Sequence, residues 1–276
     1  MKRYILFIPR FPLLMLFLLI SNTSVNGEGL KDIKIDYLTI GSGFEYLSYT
    51  EYEPETDTFS DTTTYNVVTK FNGRLSMEGP LFFEFKGMVP VYTGEVKEDW
   101  KRHGSIYQTN NLQFNWSRID SNIGYSIYSW LNPCMGLRWS KSIQKRTGFF
   151  TSAPISLESF ETCRALFVSA GLAGNIRHSP RWEFGYSFEY FMPVSVRTKN
   201  TALRGWKSRT KEGYSLGARA VARYIYSPSV LLYYELSGER SYWDGSNWID
   251  YPDGSAKWPE NETLSLNYIL GVAWLF

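Results

Sequence analysis

Apolar and polar side chains alternate along this chain, one residue at a time. The clearest stretch is 181–197, where nearly every second side chain is apolar or aromatic and most of those between are charged or small. The stretches 81–91, 214–226 and 264–276 repeat the pattern. A period of two residues predicts β-strands whose two faces meet different surroundings.

Tight turns and long polar stretches separate these strands. Residues typical of turns lie at 78–80, 120–122, 178–180 and 227–229. Longer polar stretches predict loops at 53–61, 95–105, 135–158, 198–212 and 240–260. These connections join ten predicted strands, at about 35–52, 62–77, 81–94, 106–119, 122–134, 159–175, 181–197, 213–226, 229–240 and 262–276. Short turns that alternate with long loops predict an all-β fold, a closed ten-stranded antiparallel transmembrane β-barrel with five long extracellular loops and short periplasmic turns.

In such a barrel only the apolar face can meet lipid, so the charged face lies inside. The inward charges are predicted to be Glu84, Lys86, Glu183, Glu189, Arg219, Arg223, Glu235 and Glu239. They could line a polar conduit, which would make the protein a narrow, porin-like pore. The alternative is a network of ion pairs that fills the interior, since ten strands leave little free bore.

The N-terminus has the pattern of a secretory signal. Lys2 and Arg3 precede an apolar run at 11–20, which is too short to cross a bilayer as a helix. We predict cleavage after Gly27, which leaves 28–276 as the barrel. Cleavage removes three basic residues and no acidic one, so the formal charge of +2 becomes slightly negative and nucleic-acid binding is not indicated. An aromatic content of 17% suits the girdles at the two membrane interfaces.

The last strand resembles the closing strand of bacterial outer-membrane barrels. It ends on Phe276, with apolar side chains along one face. The resemblance implies a Gram-negative outer-membrane protein with both termini in the periplasm. It also implies that this strand is recognised by the barrel-assembly machinery.

Ten strands with five outer loops also resemble the omptins, a family of outer-membrane proteases. Omptins carry Asp-x-Asp-Trp at the end of the third strand, where this chain reads Lys97-Glu98-Asp99-Trp100. Omptins also place Asp-x-His on the fourth loop, whereas 197–212 contains neither residue. The resemblance implies a tall barrel with a groove at its outer mouth but an incomplete catalytic site, because water needs a positioned base at neutral pH.

We therefore predict a non-enzymatic role in surface binding or envelope structure. One alternative is a divergent protease that uses Asp99. Another is a lipid A-modifying hydrolase, because His103 and Ser105 have the spacing of the His-x-Ser pair of the lipid A deacylases and would share one strand face. No set of residues has metal-ligand spacing, and no cofactor is expected.

Cys134 and Cys163 lie near the ends of two adjacent predicted strands. In the oxidising compartment implied by a signal peptide, a disulfide could close the loop between them. The alternative is two separately packed thiols.

Cations of the third and fourth loops are predicted to contact lipopolysaccharide, whose phosphates pair strongly with Arg and Lys. Omptins similarly bind this lipid through basic residues on the outer wall. The predicted residues are Arg138, Lys141, Lys145, Arg146, Lys207 and Arg209. The fifth loop is rich in Trp and Tyr, which we expect to pack the loops against one another.

Overall fold

The computed structural model describes residues 33–77, 79–151, 154–203, 206–210, 212–252 and 254–276. The predicted signal peptide lies outside these residues. The strands are β1 (Lys34–Glu53), β2 (Thr58–Ser76), β3 (Leu81–Thr93), β4 (Glu95–Arg102), β5 (Ser105–Tyr125), β6 (Asn132–Phe150), β7 (Pro154–Arg177), β8 (Trp182–Asn200), β9 (Lys207–Thr210), β10 (Gly213–Ser227), β11 (Val230–Trp243), β12 (Ile249–Tyr251), β13 (Gly254–Ala256) and β14 (Glu260–Leu275). Residues Pro54–Thr56 form one turn of 3₁₀-helix.

Neighbouring strands pair antiparallel in chain order and form a ring of about ten strands. The first strand, β1, pairs with β2 on one side and with the last strand, β14, on the other. Strand β4 extends the wall beyond β3, between β2 and β5. One end of the ring carries short connections at 77–80, 126–131, 178–181 and 228–229, and we call it the turn end. The opposite end, which carries the fifth loop at 244–259, is the loop end.

The two faces of the sheet have opposite polarity, and the apolar one points outward. Phe188 and Leu270 are 60% and 67% exposed, whereas Glu45 and Ser265 are completely buried on the inner face. Exposed apolar side chains on β1, β6, β7, β8 and β14 form what we call the apolar belt. Within the described residues, no helix is long and apolar enough to span a membrane.

The interior is filled in layers. Near the turn end lies an apolar cluster that includes Val68, Met88 and Ile269. Beside it, ion pairs occupy the middle of the ring, and on β3 they extend nearer to the turn end than Met88 does. We call them the core ion network, made of Lys70, Lys86, Arg118, Arg138, Arg219, Glu45, Glu84, Asp120, Glu189, Glu235 and Glu239. Toward the loop end follow two further clusters, which we call together the aromatic layer, made of Leu47, Tyr49, Leu112, Phe114, Trp116, Ala165, Phe167, Phe191, Val196, Trp206, Trp243 and Trp258.

Strand β5 differs from the prediction. The turn expected at 120–122 lies in the middle of this strand, and the chain reverses at 126–131 instead. Asp120 and Asn122 point inward, where they bind Arg138 and Glu189. These side chains are therefore polar because they bind buried partners, and not because they form a turn. The following strand, β6, continues through most of the stretch predicted as the third loop.

The predicted disulfide is wrong. Cys134 and Cys163 are free thiols on neighbouring strands, β6 and β7. The register places Cys134 opposite Gly171 and Cys163 opposite Ser142. Because the two cysteines lie eight positions apart along the sheet, at about 3.3 Å per residue, their sulfur atoms are far beyond bonding distance.

Candidate functional site

At the loop end, one buried guanidinium joins two carboxylates from distant strands. Arg146 of β6 donates from Nε to Glu98 of β4 at 2.7 Å and from Nη2 to Glu51 of β1 at 2.8 Å. The indole ring of Trp100 lies 5.4 Å from the guanidinium carbon. All three charged groups are at least 90% buried, and together with Glu161 we call them the mouth cluster.

Glu161 of β7 joins this cluster to the loops. Its Oε1 accepts a hydrogen bond from Trp258 Nε1 at 3.0 Å, and its Oε2 accepts a long one from Asn200 at 3.4 Å. Beside Trp258, Lys257 binds Glu53 at 2.6 Å, close to the end of β1. The fifth loop therefore contacts both β1 and β7, which lie on opposite sides of the ring.

The mouth cluster holds three carboxyl groups for one guanidinium, and this excess changes their protonation. Burial raises the pKa of Glu51 to about 7, although Arg146 opposes the shift. Burial likewise raises the pKa of Glu161. For Glu98, burial is outweighed by Arg146 and the pKa is lowered. Arg146 already occupies the carboxylates of Glu51 and Glu98, which could otherwise orient water.

The partial omptin motif lies on β4 with its side chains alternating between the two faces. Glu98 points inward, whereas Lys97 and Asp99 share the outer face and form an ion pair at 3.2 Å. The carboxylate of Asp99 therefore does not join the mouth cluster. The acidic residue of this stretch on the inner face is Glu98, and Arg146 neutralises its charge.

His103 and Ser105 do not share a strand face, so the expected His-x-Ser arrangement is wrong. His103 and Gly104 form the two-residue turn between β4 and β5, with φ angles of 50° and 76°. Such positive angles are typical of a type I′ hairpin turn. His103 is exposed, and its Nδ1 lies 3.3 Å from a carboxylate oxygen of Asp57.

The structure places the eight predicted interior charges on the inner face, in ion pairs. Glu84 lies 3.0 Å from Lys86, which lies 3.2 Å from Glu189. Arg219 lies 3.5 Å from Glu84 and 3.8 Å from Glu235. Nearer the turn end, Arg223 binds Glu183 at 2.7 Å.

Two cations assigned above to lipopolysaccharide lie inside the ring, so that assignment is wrong for them. Arg138 is 4% exposed and Arg146 is 7% exposed, and both bind interior carboxylates. The physical reason is that β6 stays extended, so alternate side chains point inward. Lys145 faces outward, where it binds Glu158 at 2.5 Å.

Four cations follow one line across the outer face of four adjacent strands. Lys141 of β6 lies opposite Arg164 of β7, and Arg164 lies opposite Arg197 of β8. Arg197 in turn lies opposite Arg209 of β9. We call these four residues the basic row. Leu166, two residues from Arg164 toward the turn end, is 38% exposed and belongs to the apolar belt.

The basic row has the charge of an anion-binding surface. Like charges directly opposite one another destabilise a sheet. Among the described residues no carboxylate pairs with Arg164, Arg197 or Arg209. Their repulsion is therefore relieved by solvent or by a bound anion. The exposed Lys199 and Lys207, which lie opposite each other one step nearer the loop end, enlarge the surface.

Sequence reasoning missed Arg164 and Arg197. Arg164 lies in a predicted strand and not in a loop, and uninterrupted alternation over 181–197 would place Arg197 on the charged inner face. A bulge places Phe167 opposite Pro193 and Leu166 opposite Ser195, which reverses the facing of β8 beyond that point. Val196 is therefore buried inside, and Arg197 is exposed outside.

Within the described residues, no group of three or more His, Cys, Asp or Glu side chains could hold a metal ion.

Comparisons with known proteins relate the chain to outer-membrane barrels by structure. No protein-family model and no curated protein sequence matches it. The outer-membrane protease OmpT from Escherichia coli superposes with a TM-score of 0.70 at 15% identity, covering 92% of this chain and 100% of that one. The translocator domain of the autotransporter NalP from Neisseria meningitidis gives 0.41 at 10% identity, covering 96% of each chain. Ail from Yersinia pestis gives 0.35 at 9% identity, covering 88% of this chain and 100% of that one. The likeness to OmpT shows that the chain has an omptin-like fold.

Proposed function

We propose that this chain is an integral protein of the bacterial outer membrane, a closed ten-stranded barrel whose outer wall binds lipopolysaccharide. The apolar belt supports insertion, because an apolar outer face around a polar interior is stable only in lipid. The omptin-like fold agrees with this location. In this arrangement the loop end is extracellular, both termini are periplasmic, and β14 is the strand that the barrel-assembly machinery recognises.

The basic row is the observation that carries the binding proposal. It lies beside the apolar belt, where the headgroups of the outer leaflet would be. Its cations project from adjacent strands about 4.8 Å apart, so one lipid can meet several of them. Phosphate groups are the anions of that leaflet and make strong charge-assisted hydrogen bonds with Arg.

The test is to replace Arg164, Arg197 and Arg209 together by Ala. Each exposed cation contributes about 0.5–1 kcal/mol, so the dissociation constant for lipopolysaccharide should rise roughly 10- to 100-fold. Binding is measured by titrating the refolded barrel in detergent with fluorescent lipopolysaccharide. The matched control replaces three exposed cations elsewhere, Lys101, Arg177 and Arg181. If the control lost as much affinity for lipopolysaccharide, net charge alone would explain the effect. That result would contradict specific binding at the basic row.

The chain is proposed to act without omptin-type catalysis, since Arg146 neutralises Glu98 and Asp99 lies on the outer face. We expect no turnover of a fluorogenic peptide library by the refolded barrel in the presence of lipopolysaccharide. The Asp99→Ala variant should likewise show no peptide turnover. Cleavage that disappears in Asp99→Ala would contradict this reading and favour a divergent protease.

The aromatic layer argues against the alternative function, a narrow pore. Its side chains pack across the ring between the core ion network and the mouth cluster, and a cavity within the core ion network measures only ≈ 50 Å³. Ions therefore meet a tightly packed barrier. In a planar bilayer we expect no conductance steps at any applied voltage, and reproducible open steps would show that the barrel conducts.

A further inference from the structure

A second cavity lies within the aromatic layer, just inside the mouth. It measures ≈ 30 Å³, which is room for roughly two water-sized groups. Five aromatic rings line it, those of Tyr49, Phe114, Trp116, Trp243 and Trp258. This site is separate from the basic row, which lies on the outer face.

The polar side chains of the cavity wall also include Ser140, Ser142, Cys163, Asn261 and Thr263, but two others offer acceptor positions for a hydrogen bond. Glu161 contributes a carboxylate with a free lone pair on each oxygen, since each accepts one hydrogen bond. Gln144, only 4% exposed, contributes an amide oxygen that has no partner among the described residues. Leaving such an oxygen buried and unpaired costs about 1–3 kcal/mol. A donor in the cavity would remove that cost.

The charges of the wall have one sign. Among the residues that the structure describes, no Lys or Arg lines the cavity. The only guanidinium of the mouth cluster, Arg146, is committed to Glu51 and Glu98. Aromatic faces attract cations through their quadrupole. A carboxylate, an unpaired amide oxygen and five rings around one small space therefore suit a small cation with N–H donors.

We propose that this cavity binds a small primary alkylammonium ion. The ammonium group would donate to Glu161 and to Gln144 Oε1, and its short alkyl part would contact the rings. A protonated amine fits better than a metal ion, because five aromatic rings face the space and, among the described residues, no group of three or more His, Cys, Asp or Glu side chains could hold a metal. A quaternary ammonium ion lacks N–H donors and is too large for two water-sized positions.

The probe is methylammonium chloride, added to the refolded full chain in detergent at constant ionic strength. Binding is followed by isothermal titration calorimetry and by the fluorescence of the lining tryptophans. We expect a saturable signal with methylammonium and none with tetramethylammonium or potassium at the same concentrations. A signal that does not saturate, or one that potassium reproduces, would leave water as the occupant and overturn the proposal.

Two variants separate binding from structure. Glu161→Gln should weaken methylammonium binding about tenfold or more, because a hydrogen bond to a charged group is lost. Its matched control is Glu262→Gln, which removes a carboxylate paired with Arg240 on the outer face and should bind as wild type. Unchanged affinity in Glu161→Gln would overturn the proposal.

Gln144→Met keeps the side-chain length and removes the unpaired oxygen. This variant should bind methylammonium several-fold more weakly, while its melting temperature without ligand stays the same or rises. A purely structural glutamine would give the opposite pattern, with lower stability and unchanged binding. Lipopolysaccharide affinity should not change in any of these variants, so this inference and the proposed function can fail separately.

Discussion

Replacing Arg138 by Ala is expected to lower the free energy of unfolding by about 3–5 kcal/mol. Arg138 donates to both carboxylate oxygens of Asp120, at 2.6 and 2.8 Å, and to Glu239 at 2.6 Å. Its guanidinium carbon also lies 3.5 Å from the ring centroid of Phe191. Removing it leaves Asp120 without its partner in the centre of the ring, and leaves Glu239 with Arg118 alone. Buried charges that lose a partner cost far more than exposed ones.

The measurement is urea unfolding in detergent, followed by tryptophan fluorescence and by the heat-dependent shift of the folded band on a gel. The matched control is Lys141→Ala, three residues along the same strand but on the outer face. Its stability should stay within about 0.5 kcal/mol of wild type. If Arg138→Ala instead kept its stability and lost affinity for lipopolysaccharide, the side chain would face lipid and the third loop would be as the sequence predicted.

That contrast shows where sequence periodicity works and where it fails. Glu84 and Glu183 could be assigned to the inner face because the apolar side chains around them alternate without interruption. The stretch 135–146 has the same alternation, with Leu137 and Trp139 on one face and Arg138 on the other. Because this stretch carries many charges, the sequence favoured a loop. Its cations on the inner face, however, are the partners of interior carboxylates.

The mouth cluster could not be predicted from the sequence. Glu51, Glu98 and Arg146 come from three strands and meet only because the sheet curves into a ring. Their spacing along the chain resembles no motif. The basic row was missed for a different reason, since one bulge in β8 changes the facing of Arg197. The one sign of that bulge in the sequence is Pro193, because proline within a strand is confined to edges and bulges.

The junction of the first and last strands makes the second strong prediction. Gly43 of β1 lies opposite Ile269 of β14. A Cβ atom built on Gly43 would be 1.8 Å from the carbonyl oxygen of Tyr268, a backbone atom that cannot move without breaking the ladder. Gly43→Ala should therefore destabilise the folded barrel by about 3 kcal/mol or more. We expect the variant to lose its heat-modifiable band after refolding.

The matched control is Gly217→Ala in β10, where a Cβ would first meet a side-chain atom of Phe191 at 3.4 Å. Its stability should change by no more than about 1 kcal/mol, because alanine there only restricts the unfolded chain. If Gly43→Ala refolded as well as this control, the contact of β1 with β14 would be looser than the pairing indicates. An open junction would leave the backbone groups of both strands unpaired in lipid, at several kilocalories per mole for each group. The tight approach at Gly43 is therefore part of what allows the ring to exist in a membrane, and its failure would remove the closed barrel on which the proposed function depends.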